Sequence, residues 1–278
     1  MEKTKSKAIV YDDSCPLCSL YTQGFVRWGL LEPQNRIPFS RLNECGTLEN
    51  LDLDKARHYI PLVDLTGSET LYGPDALVFL LQQKIPVLGK LMQLRMLQKL
   101  VLGLYHVISY NRRVIIPAQA APNSFDCAPD YNPRYRLAFI FISLLIASLG
   151  TFAFEQSLKT VFPVTAGGWA MLLIAGTGWL LQIALALLFL RQNKIDYIGQ
   201  LCVIMLVGVL LLMPGVCITA IWPAPVIPLI SVLLSSCMML QQHLYRVKYL
   251  QISSRWTFLW FFNLQSTAAI WSYLLFLK

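Results

Sequence analysis

Two cysteines, Cys15 and Cys18, lie three positions apart in the segment Lys7–Leu31, KAIVYDDSCPLCSLYTQGFVRWGLL. Thiols at this spacing can close a disulfide, supply half of a metal site, or pack as small apolar groups. Ala8–Tyr11 is a short apolar run with β-forming residues, the pattern of a buried strand. Asp12, Asp13 and Ser14 follow as a turn. Leu17, Leu20, Tyr21, Phe25, Trp28 and Leu31 then recur at helical spacing,. The pair is therefore expected where a strand turns into a helix. Pro16 suits the first helical position, because its missing N–H is not needed there. That puts Cys15 at the N-cap, facing unpaired N–H groups and the positive end of the helix dipole. Such a setting favours thiolate, the nucleophilic form. Cys15 reads as the attacking thiol, and Cys18, one turn later, as the resolving one.

Other readings of the pair stay open. A structural zinc takes about four ligands. No second Cys-x-x-C or His-x-x-x-His is present, so Cys45, His58 and Cys127 would have to gather from scattered loops. Two inert buried cysteines would leave the same pattern. A Cys-x-x-C beside a strand–helix unit in a reducing compartment is a redox pattern, and it requires no metal or organic cofactor. Asp12 ends the strand just before the thiols. It reads either as a proton acceptor for Cys18 or as a turn residue capping a backbone N–H. Pro61 stands in an apolar strand, where proline is confined to edges and strand starts.

At YDDSCPLC the sequence resembles the DCC family of thiol-disulfide oxidoreductases, whose usual opening is Tyr-Asp-Gly-x-Cys-x-x-Cys. Tyr11, Asp12, Cys15 and Cys18 match, while Asp13 stands where glycine is usual. Ile60–Asp64 with a turn at Gly67 is similar to the family's later apolar strand. Gly73-Pro74-Asp75-Ala76 resembles its Gly-x-x-Ala helix start, and Tyr105 through Asn111-Arg112 its closing helix. The likeness spans residues 7–115. It implies a thioredoxin-like α/β fold and disulfide reductase or exchange chemistry, acting on a disulfide-containing or dithiol protein or on a small-molecule thiol. In thioredoxin folds a cis-proline opens a strand facing the Cys-x-x-C, and Pro61 is the candidate for it. The Cys-Pro-x-Cys form is also similar to the glutaredoxin active site.

The elements around this site change character along the chain. Of 278 residues, 56% are hydrophobic and 14% charged, against roughly 45–50% and 25% in soluble domains. Most charges precede Pro133. The expected organisation is a thioredoxin-like domain over residues 1–115, a linker over 116–134, and an all-α transmembrane bundle of about five helices over 135–278. The expected spans are Leu137–Phe154, Gly168–Leu190, Ile198–Trp222, Val226–Leu240 and Thr257–Leu277, each judged against the roughly 20 apolar residues a bilayer requires. Arg112, Arg113, Arg134 and Arg136 precede the first. Arg191 and Lys194 fill the second gap, and Arg246, Lys248 and Arg255 the fourth. Basic loops mark the cytoplasmic side. This places the protein in the inner membrane with a cytoplasmic N-terminal domain and an external C-terminus. The charged start, Met1–Lys7, gives no signal-peptide pattern, in keeping with that orientation.

The net charge of +8 belongs with anionic lipid rather than nucleic acid, since the basic residues flank apolar spans and no nucleic-acid-binding motif occurs. No Asp, Glu, Lys or Arg sits in the middle of any expected span, which leaves transport unsupported. Gln182, Asn263 and Gln265 are expected to hydrogen-bond between helices. Cys202 and Cys237 lie at similar depth and read as packing residues or, less simply, as a second dithiol. Residues 90–113 carry an apolar side and a basic side, which fits a helix packed on the domain's sheet or one lying on a membrane surface. Two rival functions remain for the whole chain. One is a membrane scaffold or assembly factor whose soluble domain only binds a partner. The other is a membrane enzyme or carrier whose site lies in the helical half.

Overall fold

The computed structural model of the chain describes residues 6–44, 51–67, 69–92, 94–118, 130–163 and 169–276. It divides into two units, residues 1–137 and 138–278. In the first unit, strand β1 (Lys7–Tyr11) leads into helix α1 (Pro16–Arg27), strand β2 (Arg36–Pro38), helix α2 (Leu53–His58) and strands β3 (Pro61–Asp64) and β4 (Leu71–Tyr72). Helices α3 (Pro74–Leu81), α4 (Pro86–Leu91) and α5 (Arg95–Ile115) follow. The four strands form one mixed sheet in the order β2-β1-β3-β4. β1 runs parallel to β2 and antiparallel to β3, and β3 runs antiparallel to β4.

From Ala8 onward β1 is buried and mainly apolar, because it is central and covered on both faces. Strand side chains alternate between faces, so Ile9 and Tyr11 join Cys15, Cys18, Phe25, Leu62 and Leu80 in one cluster. Ala8 and Val10 join Ile37, Phe39, Ala56 and Val63 in the other. Full burial of a residue such as Ile9 or Leu62 contributes about 1.5–3 kcal/mol. Lys7 and Asp64 stand opposite each other across β1 and β3 and form an ion pair at 2.9 Å, which matches the register set by the apolar alternation. Gly73, just before α3, takes φ +58°, and a Cβ there would come within 2.6 Å of Tyr59 Cδ1. Only glycine suits both constraints.

The second unit is helical. Helix α6 (Pro133–Lys159) enters it, followed by α7 (Ala170–Phe189), α8 (Lys194–Ile221), α9 (Val226–Tyr249) and α10 (Arg255–Phe276). Among the described residues four helices, α6 to α9, are long and apolar enough to cross a membrane. The expected boundaries shift in each. α9 runs to Tyr249 rather than stopping at Leu240, because Gln241, Gln242 and His243 continue the helix despite their polarity. α6 likewise extends past Phe154 and takes in Glu155, whose side chain is fully buried. Small residues let α8 and α9 approach closely: Gly208 lies against Met239 and Gly215 against Ser231, the packing favoured between apolar helices.

Candidate functional site

Cys15 is the N-cap of α1, with Pro16 in the first turn. The preceding turn is fixed by Asp12. Its Oδ1 accepts hydrogen bonds from Ser14 N at 3.0 Å and Ser14 Oγ at 2.6 Å, and its carbonyl accepts one from Cys15 N at 3.2 Å. Asp13 does not take the positive φ that glycine would permit. Instead its carboxylate accepts a hydrogen bond from Ser40 N, so the departure from glycine carries no backbone strain. Asp12 is buried, and its Oδ2 has no hydrogen-bond partner among the described residues.

The two thiols are both buried, each 4% exposed. Cys15 is pushed down to about 6, first by the hydrogen bond from the Cys18 side chain and then against the opposing effect of burial. The Cys18 backbone N–H and the Arg112 guanidinium assist, while Asp12 opposes. Cys18 is pushed up, because it holds the proton it shares with Cys15 and because it is buried. The pair thus behaves as one thiolate and one thiol near neutral pH.

Arg112 reaches this pair from α5. Its Nη1 donates to Cys18 Sγ at 3.6 Å and its Nη2 to the Arg57 carbonyl at 3.4 Å. Charge-assisted hydrogen bonds of this kind favour the ionised acceptor. Tyr105, also on α5, accepts a hydrogen bond from Ile60 N at 2.9 Å and stacks on Tyr59 with ring centroids 5.9 Å apart. Ser109 Oγ donates to the His58 carbonyl. The second half of α5 is therefore bound to the segment that leads into β3, and this places Arg112 beside Cys18. Burial raises the phenols of Tyr21 and Tyr105, the latter to about 12, so both stay neutral donors near the thiols. One turn further along α1, Arg36 donates to Thr22 Oγ1 and to Ser19 Oγ and covers the Tyr11 ring.

Cys18, Asp12, Tyr21, Pro61, Tyr105 and Arg112 all border one cavity of about 210 Å³. An apolar cavity of about 150 Å³ takes a benzene ring, so this space suits one small apolar group. Of the residues singled out in sequence, Asp12, Cys18 and Pro61 meet at this cavity, and Cys15 adjoins Asp12 and Cys18 without lining it. Pro61, the candidate for a cis-proline, opens β3 with a trans peptide bond. Arg112, Tyr21 and Tyr105 carry no local signal of their own beyond the closing Tyr105…Asn111-Arg112 block. Among the described residues, no three His, Cys, Asp or Glu side chains come together as a metal would require. Cys45 and Cys127 lie outside the described residues.

In the helical unit Cys202 is buried and Cys237 exposed, and no disulfide joins the two. Gln182 and Asn263 do bond between helices. Gln182 Nε2 donates to Tyr197 Oη at 2.9 Å, and Asn263 Nδ2 to the Gly178 carbonyl at 2.7 Å. Tyr197 Oη also meets His243 Nε2 at 3.0 Å, and His243 Nδ1 meets Thr257 Oγ1 at 3.1 Å. This network ties α7, α8, α9 and α10 together. Gln265 is not part of it and borders an apolar cavity of about 380 Å³.

No family model, no curated protein and no solved structure matches this chain.

Proposed function

We propose that the chain is a membrane-anchored thiol–disulfide oxidoreductase, acting through Cys15 and Cys18 as a protein-disulfide reductase or exchange catalyst. The observation that carries this reading is the placement of the pair: Cys15 heads helix α1 beside Pro16, and Cys18 faces the Arg112 guanidinium at 3.6 Å, an arrangement that lowers Cys15 and leaves the proton on Cys18. A helix-head thiolate is the attacking form of cysteine. The DCC-like blocks, and a mixed four-stranded sheet that delivers β1 directly into the dithiol helix, support a thioredoxin-like domain. The helices α6 to α9, joined by α10 as a fifth span, anchor it with the dithiol on the cytoplasmic side, as the basic loops require.

In the forward half-reaction the Cys15 thiolate attacks one sulfur of a substrate disulfide. A mixed disulfide forms, and the substrate's other sulfur leaves as a thiolate that takes up a proton. Cys18 then gives up its proton, with the unpartnered Asp12 Oδ2 as acceptor, and its thiolate attacks Cys15 Sγ. The second substrate thiolate is released and the Cys15–Cys18 disulfide remains. Two electrons have passed from the dithiol to the substrate, and a thiol donor restores the reduced pair. Arg112 steadies the Cys18 thiolate in the second step.

A Cys18→Ser variant expressed in cells tests this directly. It should hold substrates covalently on Cys15, released by reductant. Absence of adducts alongside a functional wild type overturns the redox reading. Full cellular function in the Cys15→Ser, Cys18→Ser double variant assigns the soluble unit to scaffolding instead.

A further inference from the structure

Helix α5 is divided along its length. Its second half belongs to the soluble unit's interior, with Val107, Ser109, Asn111, Arg112 and Val114 buried. Its first half does not. Met96, Leu100 and Leu104, continued by Ile108 in the second half, recur every four residues, which aligns them as one stripe. All four are exposed, Met96 at 88% and Leu100 at 66%. The preceding segment adds Ile85, Val87, Leu91 and Leu94, also exposed. Arg95 and Lys99 flank the stripe. Between Asp75 and Asp126 the sequence has six basic residues and no acidic one.

We infer that residues 85–92 and 94–104 form an in-plane membrane-binding element, whose partner is the anionic phospholipid surface. Single exposed apolar residues are ordinary on a soluble protein, but a continuous stripe is not. A protein-docking face is depleted in lysine. An interfacial helix instead combines an apolar stripe with lysine and arginine beside it. The uniform sign of charge selects a lipid surface bearing negative headgroups, each nearby basic residue adding to the attraction. A helix whose inner half is pinned by Tyr105, Ser109 and Arg112 presents that stripe on a fixed support. The soluble unit is thus held on the bilayer by its own helix, in addition to the tether of the spans.

The test uses the full chain in lipid nanodiscs, with the photo-crosslinking residue p-benzoylphenylalanine placed at Leu100 or, on the opposite side of α5, at Gln98. A probe at Leu210, exposed on α8, reports lipid capture by a span. Intact-mass measurement should show phospholipid adducts at Leu100 and few at Gln98. The Leu100 adduct should fall about fivefold or more, per the effect of one surface charge, when phosphatidylglycerol is replaced by phosphatidylcholine. Lys90→Glu, Arg95→Glu and Lys99→Glu combined should have the same effect without loss of fold, since all three side chains lie at the surface. Capture of lipid at Leu210 but not Leu100 overturns the inference. So do equal yields at Leu100 and Gln98, or adducts of Leu100 with protein in place of lipid.

Discussion

Replacing Arg112 with glutamine should stall the second half of the proposed thiol exchange while largely sparing the first. The guanidinium sits 3.6 Å from Cys18 Sγ, and both side chains are buried. A hydrogen bond to a charged group contributes about 1.5–3 kcal/mol. With one pKa unit equal to about 1.4 kcal/mol, its loss raises Cys18 by a further one to two units, roughly. The thiolate fraction then falls about ten- to a hundredfold. The more basic thiolate is also the better nucleophile, and a Brønsted slope of about 0.4–0.5 returns roughly three- to tenfold of that loss. The net slowing of resolution is therefore about three- to tenfold. Cys15 feels Arg112 only after the Cys18 hydrogen bond, burial and the Cys18 amide, so its attack changes less. An aromatic disulfide such as 5,5′-dithiobis(2-nitrobenzoate) separates the steps, releasing one coloured thiolate on attack and a second on resolution. The background should lack the other five cysteines. The second phase should slow in Arg112→Gln, with Arg112→Lys intermediate. Equal slowing of both phases, or of neither, would refute the assignment of Arg112 to Cys18.

Two further outcomes follow from the same geometry. Alkylation of Cys15 by iodoacetamide should rise through about pH 6 and level off above it. In Cys18→Ala, which removes the largest stabilising contact of the thiolate, the midpoint should move up towards the ordinary cysteine value. An unmoved midpoint would show that the helix head alone ionises Cys15. Gly73→Ala should destabilise the N-terminal unit by about 1–3 kcal/mol, the usual cost of a non-glycine residue at such a φ, with the contact to Tyr59 adding to it. Thermal unfolding of the purified protein measures this, and an unchanged midpoint would contradict the close packing of Gly73 on Tyr59.

The Cys-x-x-C, its N-cap position and the apolar strand before it were legible in sequence because all three are local. Proline fixes the first turn, and alternation fixes the strand, within a few residues. The apolar runs of the second half were legible for the same reason. Their ends were not: the expected fourth span stopped at Leu240, whereas His243 continues α9, its polarity satisfied by Tyr197 from α8 and Thr257 from α10. Hydropathy along one helix does not register a partner supplied by another.

The sequence by itself determined that the chain has a dithiol at the head of a helix and a membrane-length helical half, since each depends on residue types at short spacing. Only the tertiary structure decided what stands beside the sulfurs. Arg112 lies 94 positions from Cys18, and no local pattern links them. Sheet pairing and the anchoring of α5 through Tyr105 and Ser109 bring the two together, and the charge of that distant residue acts on the thiol because both are withdrawn from water, where the field of a single guanidinium is least screened.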